Sequence, residues 1–192
     1  DIDVDEAGNF DESALDNRRV EYDTSQEQQA LTKVSIDGGK FKRHSGENVD
    51  TSNSVTHFSG SGKEIFVMSP KGAIHMASHK IGKYHHSSLL AGGTVACAGE
   101  LKVENGDLKD ASNKSGHYVP GPRQFRQFLH LLQKNNVSMN FMLSGFPVQG
   151  GPDLKGPVAE YLDSLPGDQT YEHDKIEGMI SYCMKLYKYD MD

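Results

Sequence analysis

The sequence predicts an α+β domain, in which several antiparallel β-hairpins form a small curved sheet or split sandwich and helices follow at the C-terminal end. Three observations favour this class. Short β-forming runs flank tight-turn sequences in the first part of the chain, helical periodicity begins only near Pro122, and no internal repeat is visible. The length of 192 residues suits one domain, since domains cluster at about 100–200 residues.

Residues 1–30 differ in composition from the rest of the chain. They are acidic, rich in amides and without apolar periodicity, and they account for much of the low hydrophobic content of 35%. Such a segment has too little apolar surface to fold alone. We therefore expect an acidic arm over residues 1–30, flexible or wrapped around the domain, and a single domain over residues 31–192.

Three hairpins are predicted from their turns. Residues 32–44 hold two alternating runs around Asp-Gly-Gly, and residues 45–62 are polar enough to be a loop. Two apolar runs, at residues 64–68 and 73–77, flank Ser-Pro-Lys-Gly. Asn105-Gly106, between apolar β-formers, is the strongest hairpin signal of the chain.

Helical periodicity follows Pro122. Apolar side chains recur at helical spacing at Phe125, Phe128, Leu129 and Leu132, which predicts a helix of about three turns. A strand is expected over 137–143, a lid-like loop over 145–157, and helices over 158–165 and 171–187.

Composition excludes several function classes. The net charge of −7 repels a phosphate backbone, so no general nucleic-acid binding is expected. Lys71, Lys80 and Lys83 either serve a small anionic ligand or line a solvated edge strand. The chain has no run of about 20 apolar residues for a membrane span and no signal peptide. Cys97 and Cys183 are expected to be buried free thiols.

The absence of an initiator Met suggests that the chain was cut from a longer protein.

The rest of the chain is organised around residues 84–118, called the central segment below. It carries three histidines, two serine clusters and small residues that include Gly92 and Gly93, which permit close approach of a ligand. The alternative is a buried hairpin whose His and Ser side chains satisfy backbone polar groups.

Three stretches carry a resemblance to known families: KFKRHSGENVDT, EIFVMSPKGAIHMASHKIGKYHHSSLLAGG and AGELKVENGDLKDASNKSGHYVP. Over about residues 40–137 the chain resembles the conserved domain of the plant IQ-motif calmodulin-binding (IQM) proteins. It also looks like C-terminal toxin or effector domains of bacterial polymorphic proteins of the Rhs/Tc type. The basic Ile-Gln motif is absent, so the resemblance does not imply calmodulin binding. Glu100 stands where the plant sequences usually have a basic residue.

The YHHSS run before the glycines resembles the first nucleotide-contacting strand of ADP-ribosyltransferases, which implies NAD as the cofactor and substrate. In an extended segment His86 and Ser88 share one side, and a carboxylate would stabilise the oxocarbenium-like sugar. The predicted catalytic residues are therefore His86, Ser88 and Glu100. The predicted NAD-binding residues are Tyr84, Ser87, Gly92, Gly93, His117 and Tyr118.

Each of these assignments has an alternative. Glu160 and Glu172 are later candidates for the carboxylate, and any single Glu can be a solvated charge. His117 and Tyr118 either stack on a base or nicotinamide ring or form a structural pair. No metal is predicted, because the histidines lack ligand spacing: His75, His79, His85, His86 and His117. No Gly-x-Ser-x-Gly elbow indicates a hydrolase.

These observations predict a secreted bacterial toxin or effector, delivered into the cytoplasm of a target cell, that transfers ADP-ribose from NAD to a target macromolecule. The alternative is a non-catalytic protein-binding module of the IQM type.

Overall fold

The computed structural model describes residues 20–80, 82–116, 118, 120–146 and 154–164. The strands are β1 (Lys33–Asp37), β2 (Lys40–Lys42), β3 (Val55–Thr56), β4 (Gly60–Ser61), β5 (Glu64–Met68), β6 (Ile74–Ala77), β7 (Cys97–Glu104), β8 (Asp107–Ser112), β9 (Met142–Ser144) and β10 (Lys155–Pro157). The helices are α1 (Gln26–Thr32), a 3₁₀ turn η1 (His86–Ser88), α2 (Pro122–Lys134) and α3 (Val158–Ser164).

Within the described residues, eight strands form one sheet in the order β10-β9-β8-β7-β5-β6-β1-β2, and β3 pairs with β4 as a separate ribbon. All neighbours in the large sheet are antiparallel except β8 and β9, which are parallel. This curved, antiparallel-rich sheet with a few helices confirms the predicted α+β class.

The three predicted hairpins are present as β1–β2, β5–β6 and β7–β8. In the last of them Asn105 and Gly106 have φ values of 47° and 84°. Positive φ at both turn positions matches the right-handed twist of the flanking strands. Residues 45–62, predicted as loop, also contain the short β3–β4 ribbon.

The main core lies between the large sheet and α2. All four predicted core residues of this helix are buried, and the rings of Phe66 and Phe128 are 4.6 Å apart. Cys97 is a buried free thiol, as expected. A smaller apolar layer on the opposite face of the sheet contains Ile65, Val67, Leu89 and Ala98.

Several predicted boundaries differ from the structure. The strand expected over 137–143 begins only at Met142, and α2 supplies the crossover that a parallel β8–β9 pair requires. Residues 155–157 of the expected lid form β10 instead. The helix predicted over 171–187, Cys183 and residues 147–153 lie outside the described residues.

The described part of the predicted acidic arm packs against the domain. Ser25 and Gln28 form a capping box at the start of α1, which crosses the predicted boundary at residues 30 and 31. The backbone N–H of Glu21 donates to the carbonyl of Lys83 at 2.7 Å. Residues 1–19 lie outside the described residues.

Candidate functional site

The YHHSS run is not a strand. Residues 86–88 form η1, so the expectation that His86 and Ser88 share one side of an extended segment is wrong. The backbone N–H of Ser88 donates to the carbonyl of His85 at 2.9 Å, which closes the turn. The tight turn lies over the smaller apolar layer, where Leu89 is fully buried.

His86 is buried, with 5% of its surface exposed. Its Nε2 donates to the carbonyl oxygen of Gly99 in β7 at 2.8 Å. A Cβ on Gly99 would lie 1.8 Å from the carbonyl oxygen of Ser112, so only glycine permits this close approach of β7 and β8. The bond between His86 and Gly99 thus attaches η1 to the middle of the sheet.

Ser88 is completely buried, and its Oγ accepts a hydrogen bond from the backbone N–H of His85 at 2.9 Å. Its carbonyl accepts from the N–H of Asp23 at 2.8 Å. The Tyr84 hydroxyl donates to the Asp23 carboxylate. Burial and this contact raise the pKa of Tyr84. The described end of the arm therefore closes over η1 and Tyr84.

The other predicted NAD-binding residues that the structure describes are Ser87 in η1, Gly92 and Gly93 in the loop that follows η1, and Tyr118 after β8. The carbonyl of Ser87 accepts from the N–H of Gly92, which is exposed and has a φ of +78°. The hydroxyl of Tyr118 donates to the carbonyl of Gly93 at 3.1 Å. Burial raises the pKa of Tyr118. His117 lies outside the described residues.

Glu100 points to the face of the sheet that carries the smaller apolar layer, because it is paired with Ile65 of β5. Its carboxylate is completely buried and accepts a hydrogen bond from the Ser59 hydroxyl through Oε2. Among the described residues, Oε1 has no hydrogen-bond partner. Glu160 is exposed on α3, near Gly156, and Glu172 lies outside the described residues.

A second polar cluster on this face was not predicted. Lys63 Nζ lies 2.5 Å from Asp110 Oδ1 and 2.7 Å from Ser144 Oγ, and Ser144 Oγ donates to the same Asp110 oxygen at 2.6 Å. Lys63 and Asp110 side chains are only 12% and 16% exposed. Lys63, Asp110 and Ser144 therefore form one mutually bonded polar cluster.

Two exposed phenylalanines stand beside these polar groups. Phe58 and Phe146 are 41% and 39% exposed, and their rings meet edge to face with centroids 5.5 Å apart. The His57 ring contacts Phe58 at 5.2 Å, and Lys114 Nζ lies 5.9 Å from the centroid of Phe146. We call His57, Phe58, Lys114 and Phe146 the aromatic surface.

Three histidines, His57, His79 and His85, connect the aromatic surface to the start of η1. His79 Nδ1 accepts from the backbone N–H of His57 at 3.1 Å, so neutral His79 carries its proton on Nε2. This Nε2 lies 2.7 Å from Nδ1 of His85. Burial, followed by the charges of His85 and His57, lowers the pKa of His79 to about 4. The geometry fits a direct bond between two neutral imidazoles.

Among the described residues, no group of three or more His, Cys, Asp or Glu side chains is placed to hold a metal ion. The same part of the chain contains no helix that is long and apolar enough to cross a membrane.

Sequence reasoning missed the aromatic surface and Gly99. A single Phe in the polar run 52–62 carries no periodic signal, and Phe146 lies 88 residues later in the chain. Gly99 had a usable signal, because a glycine inside a strand pattern often marks a close backbone approach.

Comparison with known proteins identifies relatives. The family described as "IQ motif-containing protein middle domain" matches residues 27–125. The IQ domain-containing protein IQM2 of Arabidopsis thaliana is 39% identical over 125 residues, which are 65% of this chain and 20% of that protein. IQM3 of the same plant is 36% identical over 128 residues, 67% of this chain and 27% of that protein. The chain thus spans 20% of the length of IQM2 and 27% of the length of IQM3. No solved structure gives a significant match.

These relatives correct the functional prediction. They are plant IQ domain-containing proteins, so the prediction of a secreted or delivered bacterial toxin with ADP-ribosyltransferase activity is wrong. The resemblance to bacterial Rhs/Tc-type domains receives no support, whereas the resemblance to the plant proteins is confirmed. The match over residues 27–125 of 192 shows that this chain belongs to the IQ motif-containing protein middle-domain family.

Proposed function

We propose that this domain is a non-catalytic protein-binding module whose contact site is the aromatic surface. The observation that carries the proposal is the exposed pair Phe58 and Phe146, held edge to face at 5.5 Å. Large aromatic side chains that remain exposed side by side are typical of interaction sites, because aromatic residues are enriched at protein interfaces.

Two further exposed apolar side chains lie close to these phenylalanines along the chain. Val55 is 53% exposed and precedes Phe58 by three residues, and Met142 is 47% exposed and precedes Phe146 by four. Met142 is paired with Asp110, so its side chain lies on the same sheet face as the Lys63–Asp110 pair. Apolar groups around a few charged ones match the composition of a protein interface.

The environment of the proposed catalytic residues supports a binding role over a catalytic one. His86 and Ser88, two of the three predicted catalytic residues, are buried, and each is bonded to another group of the same domain. Bonds to backbone groups hold His86 and Ser88 in structural positions. A general base needs a proton of a substrate within hydrogen-bond reach.

A photo-crosslinking experiment tests the proposal. p-Benzoylphenylalanine replaces Phe58 in one protein and Leu31 in a control, since Leu31 is 71% exposed on α1. In plant extract we expect discrete crosslinked proteins from position 58 that disappear when Phe146→Ala is added. Identical crosslinks from positions 58 and 31, or crosslinks insensitive to Phe146→Ala, would contradict the proposal.

Binding of NAD to the central segment stays a prediction. Of its candidate groups, Ser87 lies in η1, and Gly92 and Gly93 are exposed on the loop after η1. Isothermal titration of NAD into the domain tests it. A heat signal that is lost in Gly92→Val would support NAD as a ligand. The absence of a heat signal in the wild-type domain would refute this prediction.

A further inference from the structure

Glu100 presents an unusual electrostatic situation. Its side chain is 0% exposed, Oε2 accepts one hydrogen bond from Ser59, and Oε1 has no partner among the described residues. A buried carboxylate oxygen without a partner is costly, because its hydration is lost and nothing replaces it. A positively charged or strongly donating group beside Glu100 would relieve this cost.

The cations of the domain do not reach this oxygen in the described part of the chain. Lys63 is paired with Asp110, and Arg43 is paired with Glu64 at 2.6 Å. Lys114 donates to the Ser59 hydroxyl at 3.1 Å, so only Ser59 connects it to the carboxylate. Glu100 thus retains an uncompensated acceptor.

Ser59 also connects Glu100 to the aromatic surface. It follows Phe58 directly in the chain, and its half-buried side chain lies between the carboxylate and Lys114. Lys114 Nζ lies 5.9 Å from the Phe146 centroid, so the domain already holds one cation of its own against this ring. Ser59 and Lys114 thus link the unsatisfied carboxylate to an aromatic ring, and both of these groups attract a planar cation.

We propose that the aromatic surface binds an arginine side chain of a partner protein, with the guanidinium against Phe58 and Phe146 and an N–H donated to Glu100. The proposal rests on the protein-binding function above. Arginine fits better than lysine, because its planar fork stacks on aromatic rings and donates to a carboxylate at the same time. Ser59 is the side chain that must rotate to admit the guanidinium.

The test uses the 192-residue chain and two small probes, N-acetyl-arginine amide and its uncharged analogue N-acetyl-citrulline amide. Amide resonances are followed by ¹H–¹⁵N NMR during titration. The arginine probe is expected to shift the resonances of residues 58, 59, 100 and 146, while the citrulline probe leaves them unchanged. Equal shifts with both probes, shifts confined to other residues, or no shifts would overturn the proposal.

Three variants test which side chains bind the arginine probe. Phe146→Ala, at an exposed position that leaves folding intact, is expected to weaken arginine binding by about tenfold. Glu100→Gln keeps the shape and removes the charge, and it is expected to abolish the difference between the arginine and citrulline probes. The exposed Leu31→Ala is the matched control and keeps wild-type affinity. Unchanged affinity in Phe146→Ala would overturn the assignment even where Glu100→Gln fails to fold.

The outcome separates the two proposals. Crosslinking from position 58 without arginine binding would refute the arginine assignment and leave the protein-binding function in place. Arginine binding without crosslinks from position 58 would refute that function and leave a cation site. Both results are read from the same folded domain.

Discussion

His86 Nε2 donates a hydrogen bond of 2.8 Å to the carbonyl oxygen of Gly99, and this bond joins η1 to the middle of the large sheet. The bond connects residues from two different elements, η1 and β7, and both of its groups are buried. Because no water can replace a lost partner at such a position, loss of this bond should destabilise the fold.

The first prediction concerns this bond. His86→Ala leaves the Gly99 carbonyl unpaired, so the free energy of unfolding should fall by roughly 1–3 kcal/mol. Urea denaturation followed by circular dichroism measures the change. Ser87→Ala, at the half-buried neighbour, should stay within about 0.5 kcal/mol of wild type. The core reference Leu89→Ala should lose about 2–5 kcal/mol. Wild-type stability of His86→Ala would show that the histidine faces an open site instead.

A second prediction concerns Gly99. Since a Cβ here would lie 1.8 Å from the Ser112 carbonyl oxygen, Gly99→Ala forces β7 and β8 apart and should cost roughly 3 kcal/mol or more. Gly116→Ala is the matched control, because a Cβ at that position would meet Phe58 at an ordinary 3.7 Å. Thermal melts of the two variants provide the comparison. Equal melting temperatures would show that the strands tolerate the added atom.

The third prediction is that the folded domain loses stability in acid. The pKa of His79 falls from 6.5 to about 4 on folding, so between these pH values the unfolded chain binds more protons than the folded chain. The free energy of unfolding therefore decreases as the pH falls from 6.5 toward 4 and is unaffected by this group above that window. Burial also lowers the pKa of His75, which adds to the same trend.

Melting temperatures measured between pH 7.5 and 4.5 test this dependence. His79→Gln should reduce the slope and leave the part that comes from His75. The exposed His44→Gln is the control and should keep the wild-type slope. A wild-type slope in His79→Gln would refute the assignment of this pH dependence to the buried His79.

The fourth prediction concerns the largely buried ion pair of Lys63 and Asp110. Asp110→Asn leaves the lysine without its counter-charge at a site that is only 12–16% exposed, and should cost roughly 3 kcal/mol. The double variant Lys63→Met with Asp110→Leu should lose less, because neither charge remains. Urea denaturation measures both.

The matched control is the exposed pair Lys40 and Asp107, 2.7 Å apart, with both side chains more than 40% exposed. Asp107→Asn should cost less than about 1 kcal/mol, since water screens the charges. If the two Asp→Asn variants lose the same stability, the burial of Lys63 and Asp110 has no energetic consequence.

The sequence alone determined the parts of the fold that depend on local interactions. Asn105-Gly106 specifies its turn because both residues adopt positive φ readily, and the spacing of Phe125, Phe128 and Leu132 specifies one buried face of α2. These signals lie within a few residues of one another, so they can be read without the rest of the chain. The resemblance over about residues 40–137 to the plant IQM proteins likewise identified the correct family.

Only the tertiary structure decided which contacts the central segment and its neighbours make. The bond between His86 and Gly99, the burial of Glu100 under Ser59 and the meeting of Phe58 with Phe146 join residues 13, 41 and 88 positions apart. Residue types alone do not specify such contacts, because the same His, Ser and Glu side chains serve either a ligand site or buried structural bonds. The order of strands in the sheet brings these distant residues together and so determines which contacts they make.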